Sequence, residues 1–321
     1  MDRSQPRQDR SFLRAMKPGL LITGGAGLLA SSWAMQMRDR YRITLGLHAR
    51  QISSPGVHAE TLDLGSVSAL TRAFDRLEME IVVHTAAMTS VEDCEAHPAK
   101  ARHVNAALAG NVAEACARSG AKLVHISTDH LFAGRNPLLT ESEPIEPMNV
   151  YASSKAEGEQ RVLEACPKAI VARTNFYGRG LSYRKSFSDR IIESLRNGHE
   201  ISLFTDVHFT PLLMEDLIAA AHDLSDAGEY GIFNFVGDER LSKHAFGVNL
   251  ARVFGLDQAL IRPSLFSARS DLVKRPPDLS LSNVKLCNAL GRKMGDVDCQ
   301  FAKLLMQERH IFVPAVHVHE R

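Results

Sequence analysis

The chain has 321 residues, room for about two domains at roughly 150 residues each. Its 38 Lys and Arg against 37 Asp and Glu leave a net charge of +1, which argues against an electrostatic nucleic-acid binder and against an acidic, disordered chain. Hydrophobic residues at 45% and charged residues at 23% are ordinary for a globular protein, and no apolar run approaches the ~20 residues that span a bilayer.

The first 17 residues carry five Arg or Lys against two Asp and lack the apolar stretch of a secretory signal, so 1–17 reads as a disordered basic leader. The remainder is slightly acidic. Leu20–Thr23 is a short apolar run, followed by a glycine cluster and by Leu28–Met37 at helical spacing. Ile43–Leu47, Ile81–Ala87, Leu123–Thr128 and Ala169–Thr174 repeat the apolar theme, separated by helix-like stretches at Thr71–Leu77, near Ala99–Ser119 and from Tyr151. Apolar runs alternating with helices of about 10–15 residues predict βαβ units and a parallel sheet covered on both faces. The fold class is therefore α/β, a Rossmann-type doubly wound parallel sheet over 18–175. After Thr174 the rhythm changes. Tyr177–Arg190 is rich in Gly, Ser, Arg and aromatics, and Ile261–Leu281 is loop-like with Pro263, Pro276 and Pro277. Residues 176–321 are expected to form mainly a smaller α/β substrate-binding domain, with segments near 204–236 returning to the first.

The first strand runs into Gly24-Gly25-Ala26-Gly27-Leu28-Leu29-Ala30. Gly24 suits a tight turn, Gly27 a close approach of a pyrophosphate, and Ala30 close helix–strand packing. The helix N-terminus then offers free N–H groups and a positive dipole end to phosphates. This strand–glycine–helix context predicts dinucleotide binding. An acidic residue at the end of the second strand would select NAD. Leu47-His48-Ala49-Arg50 stands there instead, so His48 and Arg50 point to the 2′-phosphate of NADPH, with NADH as the alternative if Arg50 is solvated.

Tyr151 and Lys155 are four residues apart on one predicted helix face. A neighbouring ammonium favours a phenolate, bringing proton exchange closer to neutral pH. Ser127-Thr128-Asp129 closes a predicted strand, where ligands of open α/β sheets bind. A hydroxyl there can hydrogen-bond a carbonyl oxygen as it gains charge.

These residues are similar to the extended short-chain dehydrogenase/reductases, and within them most resemble the dTDP-4-dehydrorhamnose reductase family. The resemblance runs from about Lys17 to Gly291. Its most specific parts are His84–Thr89, Val91–Glu95, Val104-Asn105, Ser127–Gly134, Thr140-Glu141, Pro147 and Tyr151–Glu159. It implies a catalytic triad of Thr128, Tyr151 and Lys155. It implies a dinucleotide held by Gly24, Gly27, Leu28, Leu29, His48, Arg50, Asp63, Leu64, Ala86, Ala87, Met88, Asn105, Tyr151 and Lys155, with Asp63 at the adenine. It implies a nucleotide-linked 4-keto-6-deoxy sugar contacted by Thr89, Thr128, Asp129, His130 and Arg275. Departures bear on the sugar: His130 replaces the usual Tyr, Met88 an aromatic, and Tyr177–Ser188 differs in length and spelling.

The expected activity is NADPH-dependent reduction of the 4-keto group. A non-catalytic dinucleotide-binding regulatory subunit and a nucleotide-sugar epimerase or dehydratase are the alternatives. Cys94, Cys116, Cys166, Cys287 and Cys299 form no CxxC and read as incidental thiols of a reducing cytoplasm. No metal site, nucleic acid or membrane partner is expected, and a homodimer is the base-rate assembly. The tail from His310 to Arg321, with His317 and His319 alternating with Val, reads as a strand or an artefactual tail.

Overall fold

The computed structural model describes residues 17–309 and 317–319. The basic leader lies almost entirely outside the described residues. Seven strands form the central sheet: β1 (Gly19–Thr23), β2 (Arg42–Leu47), β3 (His58–Thr61), β4 (Met79–His84), β5 (Lys122–Ile126), β6 (Ile170–Thr174) and β7 (Gly231–Phe235). Their spatial order is 3-2-1-4-5-6-7, and every pairing is parallel. The order reverses between β1 and β4, which opens a crevice at their C-terminal ends.

Alternation along β1 sends its side chains to two cores. Leu20 and Ile22 pack with Trp33 of helix α1 (Leu28–Met37), while Leu21 faces the other side with Phe74, Val112 and Val162. Helix Met214–Asp226 shares the first core through Leu217, Ile218 and Ala221, and β7 extends the sheet beside β6. A buried polar chain ties that helix to α1: Trp33 Nε1 donates to His222 Nε2 at 2.9 Å, and His222 Nδ1 lies 3.1 Å from the Tyr41 hydroxyl. A third core gathers Tyr177, Ile191, Phe209, Phe246 and Phe301 from the second half.

Two elements differ from the sequence reading. The Ala-rich stretch expected as one helix is broken into Pro98–Arg102, a π-helical turn at His103–Ala107, and Leu108–Ser119. The strand β3 carries no apolar run because it is a half-exposed edge. The tail strand His317–His319 pairs antiparallel with Gln51–Ser53. Among the described residues, no helix is long and apolar enough to cross a membrane.

Candidate active site

The glycine turn is shaped by what a side chain would strike. Gly24 has φ +69°, and a Cβ there would fall 2.9 Å from the Ala86 backbone. A Cβ on Gly25 would lie 2.8 Å from Leu45 Cβ, and one on Gly27 2.9 Å from the Gly24 carbonyl oxygen. Gly27 is the N-cap of α1 and offers no side-chain cap, so first-turn N–H groups face the crevice without a protein partner side chain. A cleft of about 870 Å³ opens above this turn. Glycine cradle, uncapped helix start and cleft size together fit a dinucleotide.

The same cleft is lined by Leu28 and Leu29, by His48 and Arg50 past β2, by Asp63 and Leu64, and by Ala86, Ala87 and Thr89 past β4. Thr128, Asp129, His130, Tyr151 and Lys155 complete its far end. Three expected residues lie outside that lining. Asn105 sits in the π-helical turn and clamps the chain after β4: it accepts from the Met88 N–H at 2.8 Å and donates to the Met88 carbonyl at 3.0 Å and to Ser154 Oγ at 2.9 Å. Met88 therefore meets Asn105 through its backbone. Arg275 is ion-paired with Glu92, although its charge is felt at His130 and Lys243.

Helix Val150–Ala165 starts at Asn149, whose side chain accepts from the Ala152 N–H, and its first turns carry Tyr151 and Lys155. Both are buried. The Lys155 ammonium donates to the Ile126 carbonyl at 2.7 Å and lies 3.4 Å from His125 Nε2. Burial holds its pKa down at about 8, partly offset by Glu159 one turn away. His125 stacks on His84 at 5.4 Å, and His84 Nδ1 meets Thr23 Oγ1 at 2.8 Å. Burial first, then the Lys155 charge, lowers both imidazoles, His84 to about 3, so both are neutral. A neutral His125 can accept from Lys155 through Nε2, which leaves one ammonium proton for the cleft.

Tyr151 behaves differently from the sequence expectation. Burial raises its pKa above the usual phenol value, with the neighbouring Thr128 hydroxyl opposing. Lys155, engaged with Ile126 and His125, does not bring it toward neutrality in this arrangement. The phenol is protonated at pH 7, the form that a proton donor needs. Thr128 Oγ1 also contacts Asp129 Oδ1 at 3.3 Å and accepts from the His130 N–H at 3.2 Å. Asp129 is fixed by Asn175, which donates to Oδ2 at 2.6 Å. The His130 ring meets the Tyr151 ring edge-on at 5.5 Å, and burial lowers its pKa.

The sequence reading passed over Asn175, Lys243 and the functional placement of His84 and His125. Lys243 sits over the Phe209 ring at 3.2 Å, its pKa held at about 8 by burial with Asp129 opposing. The arrangement can donate hydrogen bonds and a proton to a carbonyl oxygen beside a dinucleotide. Since Lys155 must be charged to support it, kcat/KM for ketone reduction is expected to be high below pH about 8 and to fall above it. A pH profile checks this; a plateau through pH 9–10 would remove Lys155 from that role.

A family model, the RmlD substrate binding domain, matches residues 16–308. The chain is 28% identical over 270 residues to "Probable low-salt glycan biosynthesis reductase Agl14" of Haloferax volcanii, covering 82% of this chain and 90% of that protein. It is 31% identical over 253 residues to dTDP-4-dehydrorhamnose reductase of Mycobacterium tuberculosis, covering 76% and 78%. Among solved structures, dTDP-4-dehydrorhamnose reductase from Bacillus anthracis in complex with NADP superposes with a TM-score of 0.80 at 25% identity, over 91% of this chain and all of that one.

Proposed function

The chain belongs to the dTDP-4-dehydrorhamnose reductase family through the RmlD substrate binding domain, and from that premise we propose that it reduces the 4-keto group of a nucleotide-linked 4-keto-6-deoxy sugar with NADPH. The observation that carries this reading is the buried cluster of Thr128, Tyr151 and Lys155 at the end of a glycine-lined cleft. NADP in the related Bacillus structure supports the cofactor choice, as do His48 and Arg50 at the end of β2.

The glycine turn and the start of α1 bind the pyrophosphate, Arg50 the 2′-phosphate and Asp63 the adenine. When bound, the nicotinamide supplies a hydride to C4 of the sugar. Thr128, turning its one O–H from Asp129 to the substrate, and Tyr151 hold the 4-keto oxygen by hydrogen bonds and stabilise its growing negative charge. Tyr151 delivers the proton to that oxygen. Lys155 offers its remaining N–H to the ribose. The second half, with its own core, carries the sugar nucleotide against Thr89, Asp129 and His130. Asp129, pinned by Asn175, holds the Thr128 hydroxyl until the 4-keto oxygen takes over that hydrogen bond. Arg275 reaches the substrate diphosphate by exchanging Glu92 for it. The free state of all five cysteines supports a reducing, cytoplasmic setting.

The test is NADPH consumption with dTDP-4-dehydrorhamnose and related nucleotide-linked 4-keto-6-deoxy sugars. Sugar-dependent consumption is expected. Tight NADPH binding with no turnover on any of them would replace this reading with a non-catalytic dinucleotide-binding role.

A further inference from the structure

The second half of the chain touches the cofactor cleft at a place that the reaction chemistry does not require. Leu181 and Arg184 form a tight hairpin: the Leu181 N–H donates to the Arg184 carbonyl at 2.9 Å, and the Arg184 N–H donates to the Leu181 carbonyl at 3.1 Å. The hairpin is rooted below its tip. Leu181 is buried, and a Cβ on Gly180 would fall 2.2 Å from Asp189 Oδ2, the carboxylate that closes the capping box with Ser186. Tyr183 stands at the tip and crosses to the first half. Its hydroxyl donates to the Ala26 carbonyl, inside the glycine turn, at 3.2 Å. Its ring lies 4.9 Å from the guanidinium carbon of Arg50, at the end of β2.

Arg50 is exposed, and among the described residues no carboxylate lies within ion-pair distance of it. Alone, such a side chain loses much rotamer freedom when it grips an anion. The Tyr183 ring supplies the missing restraint. A cation over an aromatic ring uses the face of the guanidinium, whereas a phosphate is gripped by N–H groups in its plane. Packing against the Tyr183 ring therefore restrains Arg50, and among the described residues no hydrogen bond occupies the donors a phosphate needs. Arg184, at the base of the hairpin, lines the same cleft and adds positive charge there.

We infer that Tyr183 is a positioning residue for cofactor selectivity: by stacking on Arg50 it pre-orders that guanidinium for the adenosine 2′-phosphate. Preference for NADPH over NADH is thus built from both halves of the chain. The inference rests on the NADPH reading above. It concerns binding alone, so it can fail while the reductase chemistry stands.

The test uses the full-length protein and dissociation constants for NADPH and NADH, read by fluorescence titration without sugar. Tyr183→Ala is expected to lower the preference for NADPH over NADH about three- to tenfold, the lost bond to Ala26 acting on both cofactors alike. Retained NADH binding also reports that the site is folded. Tyr183→Phe keeps the ring and is expected to retain the preference, which separates stacking from the bond to Ala26. Arg50→Met should lose the preference, and Tyr183→Ala added to it should lower the ratio no further. An NADPH/NADH ratio that survives Tyr183→Ala, or that falls equally in the Arg50→Met background, overturns the inference alone. A wild-type protein that binds both cofactors equally overturns the NADPH reading and the inference with it.

Discussion

Tyr151→Phe is expected to lower kcat for ketone reduction by about 10²- to 10⁴-fold, the range general acid catalysis supplies, with NADPH affinity unchanged. The substitution removes one oxygen from a buried ring and leaves its packing in place. Tyr151 packs with Val91, Cys94 and Ala101, and these contacts need no hydroxyl. What disappears is the proton donor and one of the two hydrogen bonds to the growing oxyanion. Thr128 stays, held between Asp129 and the His130 N–H, so residual turnover remains. The measurement is single-turnover reduction alongside an NADPH titration. Full kcat in the variant would remove Tyr151 from the chemistry; lost NADPH binding would assign it to the cofactor instead.

Glu159→Ala is expected to destabilise the protein by about 3–5 kcal/mol, because it leaves an uncompensated charge in the interior. Arg173 and Glu159 are 1% and 2% exposed. Arg173 Nε donates to Oε1 at 3.0 Å and Nη2 donates to Oε2 at 2.8 Å, a two-pronged pair between the catalytic helix and β6. The remaining contacts of the guanidinium, the Glu141 carbonyl at 3.5 Å and the Phe132 ring at 5.5 Å, carry no formal negative charge. Replacing both partners, as Glu159→Leu with Arg173→Met, removes the orphan charge and should recover much of the loss. Urea midpoints for the wild type and the two variants check this. A midpoint unmoved by Glu159→Ala would contradict the buried pair. The same pair ties Lys155, one turn before Glu159, to the sheet, so the single variant should also loosen the site.

The parallel sheet and the glycine turn were legible because local sequence determines them. Leu20–Thr23 is apolar on both faces since both faces are covered, and the Gly24–Gly27 spacing answers to backbone clashes within a few residues. Tyr151 and Lys155 were legible as a pair because helical spacing places them on one face. The role of His125 was not legible. It depends on a lysine 30 positions away and on burial that leaves the imidazole neutral. For the same reason the phenol of Tyr151 was expected to shift downward: the motif shows the ammonium but not the desolvation that outweighs it. The π-helical turn at Asn105 escaped notice because its composition matches the helices on either side. Its register is set from outside, where the Asn105 backbone presses on Gly158 so closely that a Cβ there would fall 2.3 Å from the carbonyl oxygen. Arg50 was read from its place after β2, but its stacking partner lies 133 residues on, in a hairpin with no recognisable motif.

The most direct measurement follows the hydride. NADPH carrying deuterium at the transferable nicotinamide position, incubated with the enzyme and dTDP-4-dehydrorhamnose, should give a sugar nucleotide with one deuterium at C4 by NMR and a matching loss of NADPH. A product with no label at C4, or NADPH consumption without a reduced sugar, would contradict 4-keto reduction by this chain.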